Sequence, residues 1–133
     1  MAKILVADDE PVMRQMVRMA CERMGHEVHE AVDAPSAVLA YDRVKPDLLV
    51  LDIGMPGGGG LFVLNSLRFG GRKAIGPVLI ITGSIDRSAD EVRRELAVDR
   101  ILPKPFRISD LNACVTELLL QASRKANDAP SAS

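Results

Sequence analysis

The sequence contains few aromatic side chains, few cysteines and almost no excess of charge of either sign. Tryptophan is absent, and one tyrosine and three phenylalanines are too few and too scattered to stack successive bases of a nucleic acid. The 17 basic and 18 acidic residues give a formal net charge of −1, which provides no general positive field for a polyanion. These shortages disfavour nucleic-acid binding as the function.

The two cysteines, Cys21 and Cys114, lie far apart in apolar, helix-like segments without a Cys or His at ligand spacing. This context favours buried free thiols over a disulfide or a metal site. No apolar run approaches the length of a membrane span, and the N-terminus has no cleavage-site pattern. We therefore expect a cytoplasmic protein, and its 133 residues accommodate one ordinary domain.

Short apolar runs typical of strands alternate with segments of helical periodicity, and Pro11, Asp33 and Ser88 mark three helix starts. We predict strands at residues 3–7, 26–30, 47–51, 77–81 and 99–102, and helices at residues 11–24, 34–44, 61–69, 88–97 and 109–123. Five strand-helix units predict an α/β domain with a flavodoxin-like, doubly wound parallel sheet in the strand order 2-1-3-4-5. We assign residues 1–123 to this domain and expect residues 124–133 to form a disordered tail.

Polar and ionisable side chains follow four of the five predicted strands. They are Asp8, Asp9 and Glu10 after the first strand, Asp52 after the third, Thr82 after the fourth and Lys104 after the fifth. Because ligands of such sheets bind at the carboxyl ends of the strands, these groups are expected to converge. Clustered carboxylates repel each other unless a cation intervenes, and Mg²⁺ is a hard cation that prefers oxygen ligands. With an ammonium and a hydroxyl group, the set suits a phosphoryl group.

Each of these residues also has a purely structural explanation. Asp8 and Asp9 could cap the helix that follows them, and Asp52 could be a turn residue before a glycine-rich loop. Lys104 could be an ordinary solvated lysine. Their joint occurrence, each at the end of its own strand, favours a functional site.

Four motifs occur in order along the chain. They are ILVADDE at 4–10, LVLDIGMP at 49–56, IITG at 80–83 and KPF at 104–106. In combination they resemble the receiver domain of two-component response regulators, and the resemblance extends over residues 3–120. It implies a phosphoprotein of two-component or phosphorelay signal transduction that accepts its phosphoryl group from a histidine kinase or a histidine phosphotransfer protein.

The resemblance assigns the acidic residues to phosphorylation and to Mg²⁺ binding. It implies that Asp52 is the phosphoacceptor. Asp9 and Asp52 would be direct ligands of Mg²⁺, Asp8 would act through a metal-bound water, and the backbone carbonyl of Gly54 would be a further ligand.

The resemblance also assigns roles on the fourth and fifth strands. Lys104 would pair with the acceptor carboxylate and then with a phosphoryl oxygen, while Thr82 would bond to the phosphoryl group after transfer. The Lys104–Pro105 peptide bond would be cis. Receivers usually have an aromatic switch residue where this chain has Ile101, so we expect a switch without that aromatic group. Pro103 is tolerable if the fifth strand is at the sheet edge.

Two further features concern the loop beside the acceptor and the partners. We interpret residues 57–60, all glycine, as a drifting loop, with a mobile lid as the alternative. Val12 and Met19 lie on the flank of the first helix, either as the edge of the core or, by the resemblance, as a docking stripe for the kinase or phosphotransfer protein. By the same resemblance, the fourth helix, fifth strand and fifth helix would bind an unknown target or a second copy, in a monomer or weak homodimer.

We therefore expect a stand-alone receiver without an output domain, which is not an enzyme beyond catalysing its own phosphorylation and dephosphorylation. One alternative is a pseudo-receiver that is never phosphorylated, but the complete set of acids, Thr82 and Lys104 argues against it. The other is a Mg²⁺-dependent phosphohydrolase on a similar sheet. Such enzymes usually place their acids after one strand, whereas a whole strand-helix-strand unit separates Asp52 from the acidic pair here.

Overall fold

Strands and helices alternate throughout the computed structural model, which describes residues 1–70, 75–83 and 89–128. The strands in these ranges are β1 (Lys3–Ala7), β2 (Glu27–Ala31), β3 (Leu48–Asp52), β4 (Val78–Thr82) and β5 (Arg100–Pro103). The helices are α1 (Pro11–Arg23), α2 (Ala34–Val44), α3 (Gly59–Phe69), α4 (Ala89–Leu96) and α5 (Ile108–Asp128). All strand pairs are parallel, in the order β2-β1-β3-β4-β5, which confirms the predicted flavodoxin-like sheet.

The central strands β3 and β4 are buried at all five positions because helices cover both faces of the sheet. Alternate residues contribute to two hydrophobic clusters. Leu49 and Ile80 pack in the cluster that includes residues of α2 and α3, whereas Val50 and Ile81 pack in the cluster that includes residues of α1 and α5. This arrangement explains why the predicted strands had continuous apolar runs.

The helix starts follow the expected chemistry where the structure describes them. Pro11 is the first residue of α1. The Asp33 carboxylate accepts a hydrogen bond from the Ser36 N–H (2.8 Å), and the Ser36 hydroxyl accepts one from the Asp33 N–H (3.3 Å), which forms a reciprocal cap of α2. The predicted cap at Ser88 lies outside the described residues.

The last helix, α5, is longer than the sequence pattern indicated. It continues to Asp128, so the prediction of a disordered tail from Arg124 is wrong for residues 124–128. These residues include Arg, Lys and Ala, which have high intrinsic helix propensity and can extend a helix without being anchored in a core. Residues 129–133 lie outside the described part of the chain.

The glycine-rich segment that leads from β3 into the first residues of α3 forms a closely packed turn. Gly57, Gly58 and Gly59 have φ angles of 85°, 103° and 69°, and the Gly60 N–H donates to the carbonyl oxygen of Ile53 over 2.9 Å. A Cβ atom on Gly59 would lie 2.5 Å from that same carbonyl oxygen. The interpretation of residues 57–60 as a drifting loop is therefore wrong, because the turn depends on glycine to approach the residue that follows Asp52.

The cysteines behave as predicted. Cys21 and Cys114 are buried and free, and burial raises the pKa of the Cys21 thiol to about 11. Within the described ranges, no helix combines the length and the apolar character that crossing a membrane requires.

Substitution of Gly59 by alanine is expected to destabilise the domain more than the same change at Gly25. Both glycines have a positive φ, which costs a residue with a Cβ about 1–2 kcal/mol. Gly25 has open space around the position of a Cβ, whereas Gly59 faces the Ile53 carbonyl. We expect Gly59→Ala to lose at least about 1 kcal/mol more in the free energy of unfolding, measured by urea titration. Equal losses in the two variants would contradict this account of the turn.

Candidate functional site

The polar residues at the strand ends converge because β1, β3, β4 and β5 are successive neighbours in the parallel sheet. Asp8 directly follows β1, Asp52 ends β3 and Thr82 ends β4. These three are the buried polar or charged residues among those that the structure describes. The predicted convergence of these groups at the carboxyl edge of the sheet is therefore present in the structure.

Three carboxylates form an acidic pocket at this edge. One carboxylate oxygen from each of Asp8, Glu10 and Asp52 lies within 4.8 Å of the others. Backbone groups orient the two buried acids, since the Glu10 N–H donates to Asp8 Oδ1 (2.9 Å) and the Gly54 N–H donates to Asp52 Oδ1 (3.2 Å). Glu10 itself is exposed at the rim of the pocket.

Glu10, and not Asp9, completes this group of acids. Asp9 is exposed and does not belong to the cluster, so its expected part as a metal ligand stays a prediction. Consecutive residues of the turn point in different directions, and Glu10 has the extended backbone of a helix cap (φ −87°, ψ 115°). Glu10 was predicted to be one of the strand-end acids, without a role in metal binding. Its position immediately before Pro11, at the start of α1, was the feature of the sequence that could have identified it as a member of the cluster.

Lys104 supplies positive charge to the acidic pocket. Its Nζ lies 3.5 Å from Glu10 Oε1 and 4.0 Å from Asp8 Oδ2. In the described ranges, these two acids are its ion-pair partners, whereas the resemblance implied a pair with Asp52. The Lys104 N–H donates to the Thr82 carbonyl oxygen over 2.8 Å, and the Lys104–Pro105 bond is cis as expected.

The fifth strand tolerates Pro103 because it is the edge strand of the sheet. The Lys104 N–H points to β4, so the nitrogen of the preceding residue faces the open side, where no ladder bond is lost. Ile101 pairs in register with Ile80 and is buried in the cluster that includes Val98. The position of the usual aromatic group is thus filled by an aliphatic core residue.

The electrostatics of the pocket favour an added cation. Burial, followed in effect by the charge of Asp52, raises the pKa of Asp8 to about 6, although the Glu10 N–H and the Lys104 ammonium act in the opposite direction. The pocket also brings three carboxylates together beside one ammonium group in the described part of the chain. An all-oxygen donor set with excess negative charge suits a hard divalent cation such as Mg²⁺.

The predicted docking residues lie on the exposed side of α1. Val12 is 79% exposed and Met19 is 47% exposed. Together with Met16, Ala20 and Ile108 at the start of α5, they line a shallow groove of about 290 Å³. The groove lies along α1, the helix that directly follows the turn carrying Asp8 and Glu10, so it is adjacent to the acidic pocket.

The structure is a doubly wound α/β domain with carboxylates, a lysine and a hydroxyl group at the carboxyl ends of its strands. The chain belongs to the response regulator receiver domain family, whose sequence model matches residues 4–116. Receiver domains are phosphoacceptors of two-component signal transduction and bind Mg²⁺ in an acidic pocket, and they are not classical enzymes.

Individual relatives agree with this assignment. The chain is 34% identical over 117 residues to the alkaline phosphatase synthesis transcriptional regulatory protein PhoP of Bacillus subtilis, which covers 88% of this chain and 48% of the relative. It therefore spans about half the length of that protein. The structure of chemotaxis protein CheY4 of Vibrio cholerae is similar, with 25% identity and a TM-score of 0.79, and the match covers 89% of this chain and 98% of CheY4. The receiver domain of the Francisella response regulator 1452 has 28% identity, a TM-score of 0.80 and coverage of 91% and 98%.

Substitution of Asp8 by asparagine is expected to stabilise the metal-free protein at neutral pH. Because folding raises the pKa of Asp8 to about 6, its ionisation destabilises the fold progressively as the pH rises from about 4 to 7. Asp8→Asn removes this cost and keeps an acceptor for the Glu10 N–H. Urea unfolding in EDTA should show a gain of about 2–3 kcal/mol near pH 7.5 and almost none near pH 4.

Asp9→Asn is the matched control, because it removes an exposed acid from the same turn. We expect it to change the free energy of unfolding by less than about 0.5 kcal/mol. A gain for Asp8→Asn that is equal at both pH values would show that its ionisation is not the cause.

Proposed function

We propose that this receiver accepts a phosphoryl group on Asp52 from a phosphohistidine of a histidine kinase or phosphotransfer protein, and that the change is read by protein contacts. The observation that carries the proposal is the convergence of Asp52 with Asp8 and Glu10 within 4.8 Å, with Lys104 beside them. The family assignment supports the reaction class.

Asp52 is the proposed nucleophile. Its side chain is buried, and one of its oxygens accepts the Gly54 N–H, so its orientation is fixed before a donor arrives. A carboxylate oxygen forms a bond to phosphorus as the phosphorus–nitrogen bond of the phosphohistidine breaks, and that bonding electron pair stays on the imidazole nitrogen. Phosphoryl transfer needs little beyond positioning and charge stabilisation, which suits a weak nucleophile held in place.

Mg²⁺ is the proposed cofactor. Asp8, Glu10 and Asp52 supply carboxylate oxygens that are close enough to share one ion, and the family resemblance adds Asp9 and the carbonyl oxygen of Gly54 as candidates. When bound, the ion would offset the negative charge of the carboxylates and of the transferred group.

Lys104 and Thr82 are proposed to hold the product. Lys104, which lies close to Asp8 and Glu10, would pair with a phosphoryl oxygen, and the Thr82 hydroxyl at the end of β4 would donate to another. The phosphoryl group adds about −1.5 to −2 charges at neutral pH. Its interaction with Lys104 and Thr82 would favour a rearrangement of the ends of β4 and β5. The buried Ile101 would repack in place of the usual aromatic group.

The surface formed by α4, β5 and α5 is the proposed contact for a target protein or a second copy. It includes β5, which adjoins the strand that ends in Thr82 and carries Lys104 immediately after it. Lys104, which would bind the phosphoryl group, is thus joined to this surface directly along the chain.

Phosphorylation is tested with acetyl phosphate, Mg²⁺ and intact-protein mass spectrometry. We expect one acid-stable, base-labile phosphoryl group on the wild-type protein and none on Asp52→Asn. Asp42→Asn, which changes an exposed acid on α2, is the control and should be phosphorylated like the wild type. Absence of any mass gain would support a pseudo-receiver, and rapid multiple turnover of the phosphodonor would support a phosphohydrolase.

Docking of the phosphodonor protein is tested with Met19→Glu. A charge in the groove on α1, which docking would bury, should slow transfer from the cognate kinase by roughly tenfold, because a loss of about 1.4 kcal/mol in docking free energy weakens the complex by that factor. Uptake from acetyl phosphate should be unchanged.

Leu39→Glu is the matched control, because Leu39 is 70% exposed on α2, a helix that packs on the opposite face of the sheet from α1. It should leave both reactions unchanged. Equal loss of transfer from the kinase and from acetyl phosphate in Met19→Glu would argue against docking at this groove.

A further inference from the structure

The turn between β1 and α1 carries two acids of the pocket and is held by three contacts. The Asp8 N–H donates to the carbonyl oxygen of Ala31 on β2 (3.1 Å), and the Asp8 carboxylate accepts the Glu10 N–H (2.9 Å). The third contact comes from Arg14, whose Nη1 donates to the Asp8 carbonyl oxygen over 2.9 Å. Donor, carboxylate and carbonyl of Asp8 are thus all engaged.

Arg14 reaches this carbonyl from the second turn of α1 and is itself anchored. Its Nε donates to Glu30 Oε1 on β2 over 3.2 Å. Its side chain is 16% exposed, against 43% for Arg18 one turn further along the helix. The guanidinium is a rigid fork with permanent charge, so one arginine can serve both acceptors, whereas a lysine offers a single point of charge.

Glu30 connects Arg14 to the edge strand of the sheet. It lies on β2 in register with Val6 of β1, and its second carboxylate oxygen accepts from Arg18. Arg18 also pairs with Glu22, at 2.6 Å on the surface of α1. Of the two arginines that share Glu30, Arg14 is the one that contacts the acidic turn in the described part of the chain, so the pair provides a matched comparison.

The Arg14 contact opposes the electrostatic repulsion between the carboxylates of the acidic pocket. Asp8 and Glu10 lie on one turn and Asp52 lies on another strand, so like charges push the turn away from β3. The Arg14 contact resists this opening at the backbone. A cation near the N-terminal end of a helix is disfavoured by the helix dipole, so the two hydrogen bonds explain its place better than helix stability does.

We propose that Arg14 is a positioning residue of the acidic pocket. It holds the Asp8 carbonyl so that Asp8 and Glu10 face Asp52, and Glu30 orients its guanidinium. The assignment rests on the proposed function in one respect, since the turn that Arg14 holds is the one proposed to bind Mg²⁺ for phosphoryl acceptance.

The test compares Arg14→Gln, Arg14→Lys and Glu30→Gln with the control Arg18→Gln in the full chain. Amide hydrogen exchange at Asp8 and Glu10, measured by NMR in EDTA, reports opening of the turn without metal, and calorimetry gives the Mg²⁺ affinity. We expect Arg14→Gln to speed exchange at both amides and to weaken Mg²⁺ binding, each roughly fivefold, which is the effect of one hydrogen bond.

The other variants separate positioning from general stability. Arg14→Lys should restore only part of the protection, because an ammonium cannot reach both acceptors, and Glu30→Gln should give a smaller effect of the same sign. Arg18→Gln should stay within about twofold of the wild type in both measurements, since exposed pairs contribute little.

Several results would overturn the assignment. One is that Arg14→Gln leaves both amide exchange and Mg²⁺ affinity unchanged, and another is that Arg18→Gln has an equal effect. A third is that Arg14→Lys restores the wild-type values in full, because that would mean that the positive charge alone matters. If Arg14→Gln does not fold, Glu30→Gln decides, and wild-type exchange at Glu10 in that variant would overturn the proposal. Failure of acetyl phosphate to modify Asp52 would refute the proposed function, while the exchange measurement would still decide the role of Arg14.

Discussion

Electrostatic repulsion between carboxylates at the ends of adjacent strands is the constraint on which the rest of this structure depends. Asp8 and Asp52 are buried next to each other because β1 and β3 are neighbours and parallel. Two backbone N–H groups and one lysine offset part of this cost. The pKa of Asp8 is raised chiefly by burial, and the charge of Asp52 adds to that effect. A bound cation would relieve the same repulsion, so a pocket of this kind favours added positive charge.

The hydrophobic layers beneath the acidic pocket make this cost tolerable. The central strands are covered on both faces, and two separate clusters fix them from the α2–α3 side and from the α1–α5 side. The groups at the strand ends therefore rest on a closely packed support. A rigid sheet with polar turns at one edge is well suited to report a change in charge, because the change is not absorbed by the core.

Much of the fold and of the site could be predicted from local patterns. Continuous apolar runs identified β3 and β4, Asp33 marked the start of α2, and the order of polar residues after the strands located the pocket. Side-chain direction within a turn could not be predicted, so Asp9 was favoured where Glu10 joins the cluster. The partners of Lys104 and the packing of Gly59 against Ile53 also depend on distances between segments that no spacing in the sequence encodes. The helix α5 continues to Asp128, beyond its predicted end at residue 123, because residues without apolar periodicity can still extend a helix.

Pro103 has a consequence for how this domain can associate. An exposed edge strand normally invites an extended peptide or a second sheet to continue its ladder of hydrogen bonds. At β5 the outward-facing backbone nitrogen next to Lys104 has no hydrogen to donate, so an added strand would lose a bond where it approached the acidic pocket. Sheet extension is thereby weakened at the end of β5 beside the acidic pocket, so side chains are favoured over backbone pairing for contacts there.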